Sequence, residues 1–401
     1  MKIKKKWIVL MGLMVIITIA GLFASEPSFE CDFSKINGAD VAWLITATIF
    51  VLMMTPGLSF FYGGMVGARN VISTMLQSFI AMGIITVLWV AFGFSLCFGD
   101  DIGGIIGNPC TFAMFQNVGA AVYTTPTGKI LGGATIPLAL YALFQMKFAI
   151  ITPSLITGSF AERVRFSAYL FFMIFFFVFI YCPLAHLTWH PDGLFLKWGV
   201  VDFAGGQAVK AFLNTTTASA TAMMTWIFFD CLRGRKPSAM GAAVGCVVGL
   251  VACTPSAGYV SVGQTIFISF VIAIICNIAV YWRSHSRIDD ALDVFPTHGT
   301  GGIVGTIMTG IFIHDGLISG TSQGVVVFLL HLLAVAIVIA YTFGMSYLGY
   351  WLIDKFIPMR VSIESEKVGL DLSQHDEHYG LAHFGERELA EYEEHIRNKE
   401  K

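Results

Sequence analysis

Val200 to Thr217 reads VVDFAGGQAVKAFLNTTT. In this stretch Asp202 sits between apolar neighbours and a glycine pair, and a helix-like run begins within ten residues. The surroundings say why that matters. The chain has 401 residues, of which 56% are hydrophobic and 12% charged, with 35 phenylalanines. No soluble core absorbs that much apolar surface, so the chain reads as a membrane protein. A carboxylate is then costly unless something holds it. The net charge of −2 and the lack of any basic groove exclude a nucleic-acid partner.

Outward from that stretch, uncharged windows of roughly bilayer length recur. They lie near 41–62, 71–97, 132–157, 166–186, 211–229, 238–253, 264–282, 297–313 and 325–353. Before them MKIKKK precedes WIVLMGLMVIITIAGLFAS, a basic segment, an apolar core and a small residue at Ala24. Residues 1–24 therefore read as a signal peptide, with an uncleaved first span as the alternative. Residues 25–353 form the transmembrane domain and 354–401 a cytoplasmic tail. Within the tail, Leu389, Tyr392 and Ile396 fall at helical spacing among charges. The windows near 238–253 and 297–313 are short and glycine-rich, which requires close packing on neighbours.

Starting outside after cleavage, this topology puts Arg69, Arg163, Arg165, Arg233, Arg235, Lys236, Arg283 and Arg287 in inner loops. Lys35, Lys129, Lys197 and Lys210 fall in outer ones. That bias obeys the positive-inside rule. Of eight cysteines, Cys31, Cys97 and Cys110 lie in outer segments where a disulfide is permitted, Cys97 with Cys110 being one pairing. No cysteine pair has metal-ligand spacing, and His375-x-x-His378 reads as solvated.

The polar groups within or beside spans are few: Lys147, His298, His331 and Asp202. Phe144 and Phe148 share a face, and Trp189 follows the fourth window. Ring faces at a mouth hold a small cation with about 2 kcal/mol when it is partly dehydrated. In a phenylalanine-rich chain the same pair is also ordinary packing. His298, in DVFPTHGTGGIVG, opens a short glycine-interrupted span, a feature of transport sites; a satisfied core histidine would look the same. His331 reads as structural. No nucleophile, metal set or cofactor loop points to an enzyme or a cofactor.

Six ordered motifs carry a resemblance: PGLSFFYGGMVGARNV (Pro56–Val71), FAIITPSLITGSFAERVRFSA (Phe148–Ala168), PLAHLTWHPDG (Pro183–Gly193), DFAGG (Asp202–Gly206), TPSAGYVSVG (Thr254–Gly263) and DDALDVFPTHGTGGIVGTIMTGIF (Asp289–Phe312). With the tail segment VGLDLSQHDEHYG, they make the chain similar to the Amt/Mep/Rh ammonium transporters. The resemblance implies an all-α inverted-repeat helical bundle, a homotrimer with one pore per subunit, and a PII-type signalling protein as cytoplasmic partner. Ammonium is recruited outside, deprotonated and passed as ammonia. On that pattern Trp189 and Phe144 match the outer recruitment aromatics and Phe148 a gate ring. Asp202 matches the carboxylate supporting the cation site, and His298 matches one of two pore histidines.

The physics agrees with that design. Moving a monovalent cation into a low-dielectric pore costs on the order of 20 kcal/mol in the idealised Born limit. A few ring faces do not offset that, whereas a neutral molecule avoids most of it.

The opening stretch departs from the family. DFAGG there leads into a helix bearing the first pore histidine about eight residues after the aspartate. Here that residue is Lys210, whose ammonium would repel the substrate, and Ala211–Trp226 resembles the family's seventh helix. About nine mature spans remain where the family has eleven, a loss of two that keeps later spans in orientation. Lys147, beside Phe148, is a second unexplained positive charge. Ammonium/ammonia transport is therefore expected across the cytoplasmic membrane. The alternative is a non-transporting remnant, sensor or regulatory subunit lacking half the pore lining.

Overall fold

The computed structural model describes residues 5–25, 27–30, 33–200 and 208–379. It is a bundle of helices with two small hairpins at one end. In chain order these are α1 (Lys5–Leu22), α2 (Gly38–Gly63), α3 (Val71–Leu88) and α4 (Phe94–Phe98). The hairpins come next: β1 (Asp101–Ile102) with β2 (Ile106–Gly107), and β3 (Tyr123–Thr124) with β4 (Ile130–Leu131), both antiparallel. Then follow α5 (Leu138–Ile156), α6 (Phe166–Phe176), α7 (Cys182–Trp189) and α8 (Leu194–Lys197). The remainder is α9 (Ala208–Leu232), α10 (Ala239–Cys253), α11 (Val262–Ser284), α12 (Thr300–Phe312), α13 (Ser322–Asp354) and α14 (Ile363–Val368).

Three long spans are interrupted by π turns: Trp89–Gly93 joins α3 to α4, Phe177–Tyr181 joins α6 to α7, and Phe295–Gly299 precedes α12. Such turns recur at functional sites because they re-aim side chains without breaking the helix. Among the described residues, eight helices or continuous helical stretches are long and apolar enough to cross a membrane, α1 among them; α10 is shorter. On α1, Lys6 Nζ donates to Ser167 Oγ at 2.6 Å, and Leu10 and Ile17 lie against the core.

The main core gathers α3 to α7 around rings: Trp89, Phe94, Phe98, Phe112 and Phe177 are fully buried. Trp89 Nε1 donates to the Ala142 carbonyl at 3.1 Å, giving its one polar atom a partner inside that core. A second, smaller core joins α9 to α12 around Trp226, Val248 and Ile272. There the contacts are backbone to backbone. A Cβ on Gly249 would sit 2.3 Å from the Ala218 carbonyl oxygen, and one on Gly305 would lie 2.7 Å from that of Ala252. The glycine-rich windows do pack closely.

At the end opposite the hairpins the chain closes on itself. Beyond α13 the segment around Arg360 pairs with Val164 in an antiparallel bridge. Asp371, buried, then caps α3, its carboxylate accepting from Ile72 N at 3.1 Å and Ser73 N at 2.7 Å. An anion at a helix N-terminus is favoured by the unpaired amides and the helix dipole. Residues 389–396, which carry the expected tail helix, lie outside the described residues.

Candidate functional site

α5 places Phe144 and Phe148 one turn apart, ring centroids 5.0 Å and planes 79° apart; Phe148 meets Trp189 at 6.2 Å and 58°. Three of the five residues expected at the site thus form one aromatic strip, from α5 to the end of α7. All three are half-buried. Trp189 opens onto a cavity of about 420 Å³ whose wall includes Tyr181, Ala185, Gly302, Thr306 and Ala334. Among the described residues the lining has no charged side chain. Rings at the rim of such a cavity attract a cation by their faces, while the dry interior rejects its charge.

Behind Trp189 stand two residues the sequence reading passed over. His186 and His190 are both fully buried, their rings stacked at 4.3 Å and 13°. His186 Nδ1 lies 2.9 Å from the Cys97 carbonyl and Nε2 2.9 Å from Asp101 Oδ1. His190 Nδ1 accepts from Asp192 N at 3.0 Å. Their signal was in the sequence: HLTWH puts two imidazoles four residues apart, which a helix brings to one face.

Around them, Asp192 accepts from Thr127 Oγ1 at 2.6 Å and pairs with Lys129 at 3.0 Å. Lys197 stands 3.9 Å from Asp101. Two of the lysines assigned to outer loops therefore hold the hairpins to the α7–α8 turn. On β3, burial first and then the hydrogen bond to Asp100 push the Tyr123 hydroxyl up to about 12.

His298 sits in the π turn before α12. With Tyr62, Val244 and Thr297 it lines a separate cavity of about 10 Å³, the smallest void that takes one water. Among the described residues it has no hydrogen-bond partner. Its turn is anchored by Asp290, whose carboxylate accepts from Val294 N at 3.0 Å and Phe295 N at 2.7 Å. Arg163 pairs with Asp289, and Arg283 Nε donates to Asp293 at 2.6 Å. Burial, ahead of that arginine, raises the Asp293 carboxyl. Trp189 and His298 line different cavities, although Gly302, one turn beyond His298, borders the larger one.

Asp202 and Cys31 lie outside the described residues. Cys97 and Cys110 are both free thiols, one buried and one exposed, so the outer pairing is absent; the Cys97 side chain instead neighbours Cys182. Lys147 and Lys210 have no ion pair among the described residues. His331 Nδ1 is 2.8 Å from the Val327 carbonyl, and its ring packs on Gly310. That is a structural placement.

Residues 42–212 and 207–379 match the model of the Ammonium Transporter Family. The chain belongs to the ammonium transporter family. A putative ammonium transporter of Methanothermobacter thermautotrophicus is 34% identical, the alignment spanning 85% of this chain and 98% of that protein. The ammonium transporter Amt1 of Archaeoglobus fulgidus is 31% identical over 85% and 99%. The crystal structure of Candida albicans Mep2 superposes with a TM-score of 0.74 at 26% identity, covering 84% of this chain and 89% of that one. The family match comes in two segments that overlap at 207–212, within the stretch where the sequence departs from the expected pattern.

Proposed function

We propose that this ammonium transporter homologue recruits ammonium at Trp189, Phe144 and Phe148 and carries it inward across the cytoplasmic membrane as ammonia. The observation that carries this reading is the continuous aromatic strip ending at the rim of a cavity whose described lining carries no charge. Asp202, which precedes α9 in the chain, supports the cation, and His298 handles the uncharged molecule near the inner end. The charge asymmetry supports an inner C-terminus, and residues 1–24 serve as a cleaved signal peptide. A homotrimer, with a PII-type protein on the cytoplasmic face, fits the same resemblance. The activity is transport, not catalysis.

The split family match supports loss of two helices between the DFAGG motif and α9. The described lining of the large cavity comes mainly from α7, α12 and α13. A second reading, an ammonium sensor that does not transport, draws on the separation of the Trp189 and His298 cavities.

Uptake of ammonium by proteoliposomes separates them. Transport predicts saturable uptake that Trp189→Ala lowers roughly 2- to 30-fold at subsaturating ammonium, the equivalent of about 0.5–2 kcal/mol of ring attraction. Uptake unchanged by that substitution removes the recruitment role. Absence of uptake, with ammonium-dependent protection of residues 363–375 from proteolysis, favours the sensor.

A further inference from the structure

The transport reading leaves His186 and His190 unused. We propose that Asp101, His186 and His190 bind a divalent transition-metal ion, Zn²⁺ or Ni²⁺, at the outer end of α7. One ligand atom from each lies within 4.8 Å of the other two. His186 lies on α7 and His190 caps its end, its amide 3.1 Å from the His186 carbonyl, so the two keep the four-residue spacing of helical metal-binding histidine pairs.

The hydrogen bonds point the same way. A carbonyl oxygen only accepts, so the contact to Cys97 places a proton on His186 Nδ1 and turns the lone pair of Nε2 toward Asp101. Ligating histidines commonly donate their second nitrogen to a backbone carbonyl in this way. Nε2 and Oδ1 are then two acceptors 2.9 Å apart, a separation that needs a proton or a cation between them. Around a tetrahedral metal with bonds of about 2.0–2.2 Å, adjacent ligand atoms stand roughly 3.3–3.6 Å apart, so the partly exposed carboxylate of Asp101 moves outward slightly on binding.

His190 supplies an independent observation. Its ring is fully buried, yet Nε2 has no hydrogen-bond partner. An orphaned buried nitrogen is costly, and a bound ion removes that cost. Because Nδ1 accepts the Asp192 amide, Nε2 carries the ring proton when no metal is bound. Coordination through Nε2 moves that proton to Nδ1 and gives up the Asp192 contact.

Two imidazoles and one carboxylate suit zinc or nickel, whereas calcium and magnesium take oxygen. The nearby Lys197 ammonium opposes weakly held cations. Three protein ligands leave a fourth position for water, and Asp101, with 21% of its side chain exposed, provides the entry path. A bound ion would tie β1 to both sides of Trp189. The site requires only these three side chains, and so stands apart from whether ammonium passes.

The test uses the purified full chain in detergent, stripped of metal and titrated with Zn²⁺ in competition with a chromophoric chelator. One tight site per chain is expected. Asp101→Asn and His190→Gln each weaken it roughly 10- to 100-fold, while His190→Asp, which keeps a ligand, holds the affinity within a few-fold. His314→Gln, at an exposed histidine elsewhere, changes nothing. X-ray absorption of the wild-type chain at one equivalent of zinc should show two imidazoles, which decides the matter even if a variant fails to fold. No tight site, equal affinity in folded Asp101→Asn and His190→Gln, or a spectrum without imidazole overturns the proposal.

Discussion

The two halves of the bundle are packed by different means. The twelve bulkiest fully buried side chains, Trp89, Phe94 and Phe177 among them, all precede α7. The half after residue 208 relies on glycine and alanine at the contacts between α9, α10 and α12. Burial follows this division only in part, since the first-half span 38–63 is just 6% buried. The stretches 138–160 and 166–197 are 56% and 67% buried in their apolar windows, against 33% for 295–319 and 17% for 322–354. Rings fill volume and tolerate small shifts, whereas backbones in contact leave no atom that can move aside. The second half is thus held tightly where its backbones meet, at α9, α10 and α12.

The largest effect should come where backbone meets backbone. Gly249→Leu drives a side chain into the Ala218 carbonyl, which cannot rotate away. A cost of about 3 kcal/mol or more follows, seen as loss of monodisperse protein and a lowered melting temperature. An unchanged melt would mean that α9 and α10 are not joined as described.

The same alanine-to-leucine change should act oppositely in the two halves. Ala142 is fully buried beneath Trp89, so Ala142→Leu overpacks and costs about 1–3 kcal/mol. Ala334 faces the 420 Å³ cavity. Ala334→Leu extends into open space and should be neutral or stabilising by up to ~1 kcal/mol. Paired thermal melts check this; destabilisation of equal size in both would mean the cavity is not available to an added side chain.

Much of this was legible in the sequence. Phe144, Phe148 and Trp189 announced themselves because a helix aligns residues four apart and the motif fixed the third. The close packing of α10 and α12 followed from their glycines. The hairpins went unread although Gly103 and Gly104, with φ of 69° and 76°, form the Gly-Gly turn that short hairpins favour. His186 and His190 were hidden by being read as letters of a motif rather than as two imidazoles on one helical face. The π turns and the partnering of Asp371 with α3, nearly 300 residues away in sequence, depend on tertiary contacts that no local pattern encodes.

The smallest effect concerns the end of the molecule opposite the hairpins. His375 lies against α3, its Nε2 3.2 Å from Ser73 Oγ and its ring 4.9 Å from that of Phe166. Burial, outweighing Asp371, lowers the pKa of this imidazole. A histidine depressed in the docked state binds fewer protons there than when released. Docking is therefore fully stabilised above the free value of about 6.5 and weakens as pH falls below it. Asp371 has the opposite sign: burial raises its carboxyl in spite of the two amides, so protonation favours docking, but only in the more acidic carboxylate range. Between pH 7.5 and 5.5 the histidine sets the slope. Exchange protection of the Ser73 amide, corrected for intrinsic rate, should decline on acidification by less than about tenfold, equivalent to 1.4 kcal/mol. His375→Gln should flatten that decline. Asp371→Asn should lower protection throughout and make the decline at least as steep, because it removes both the charged acceptor and the carboxylate that holds the imidazole's pKa up.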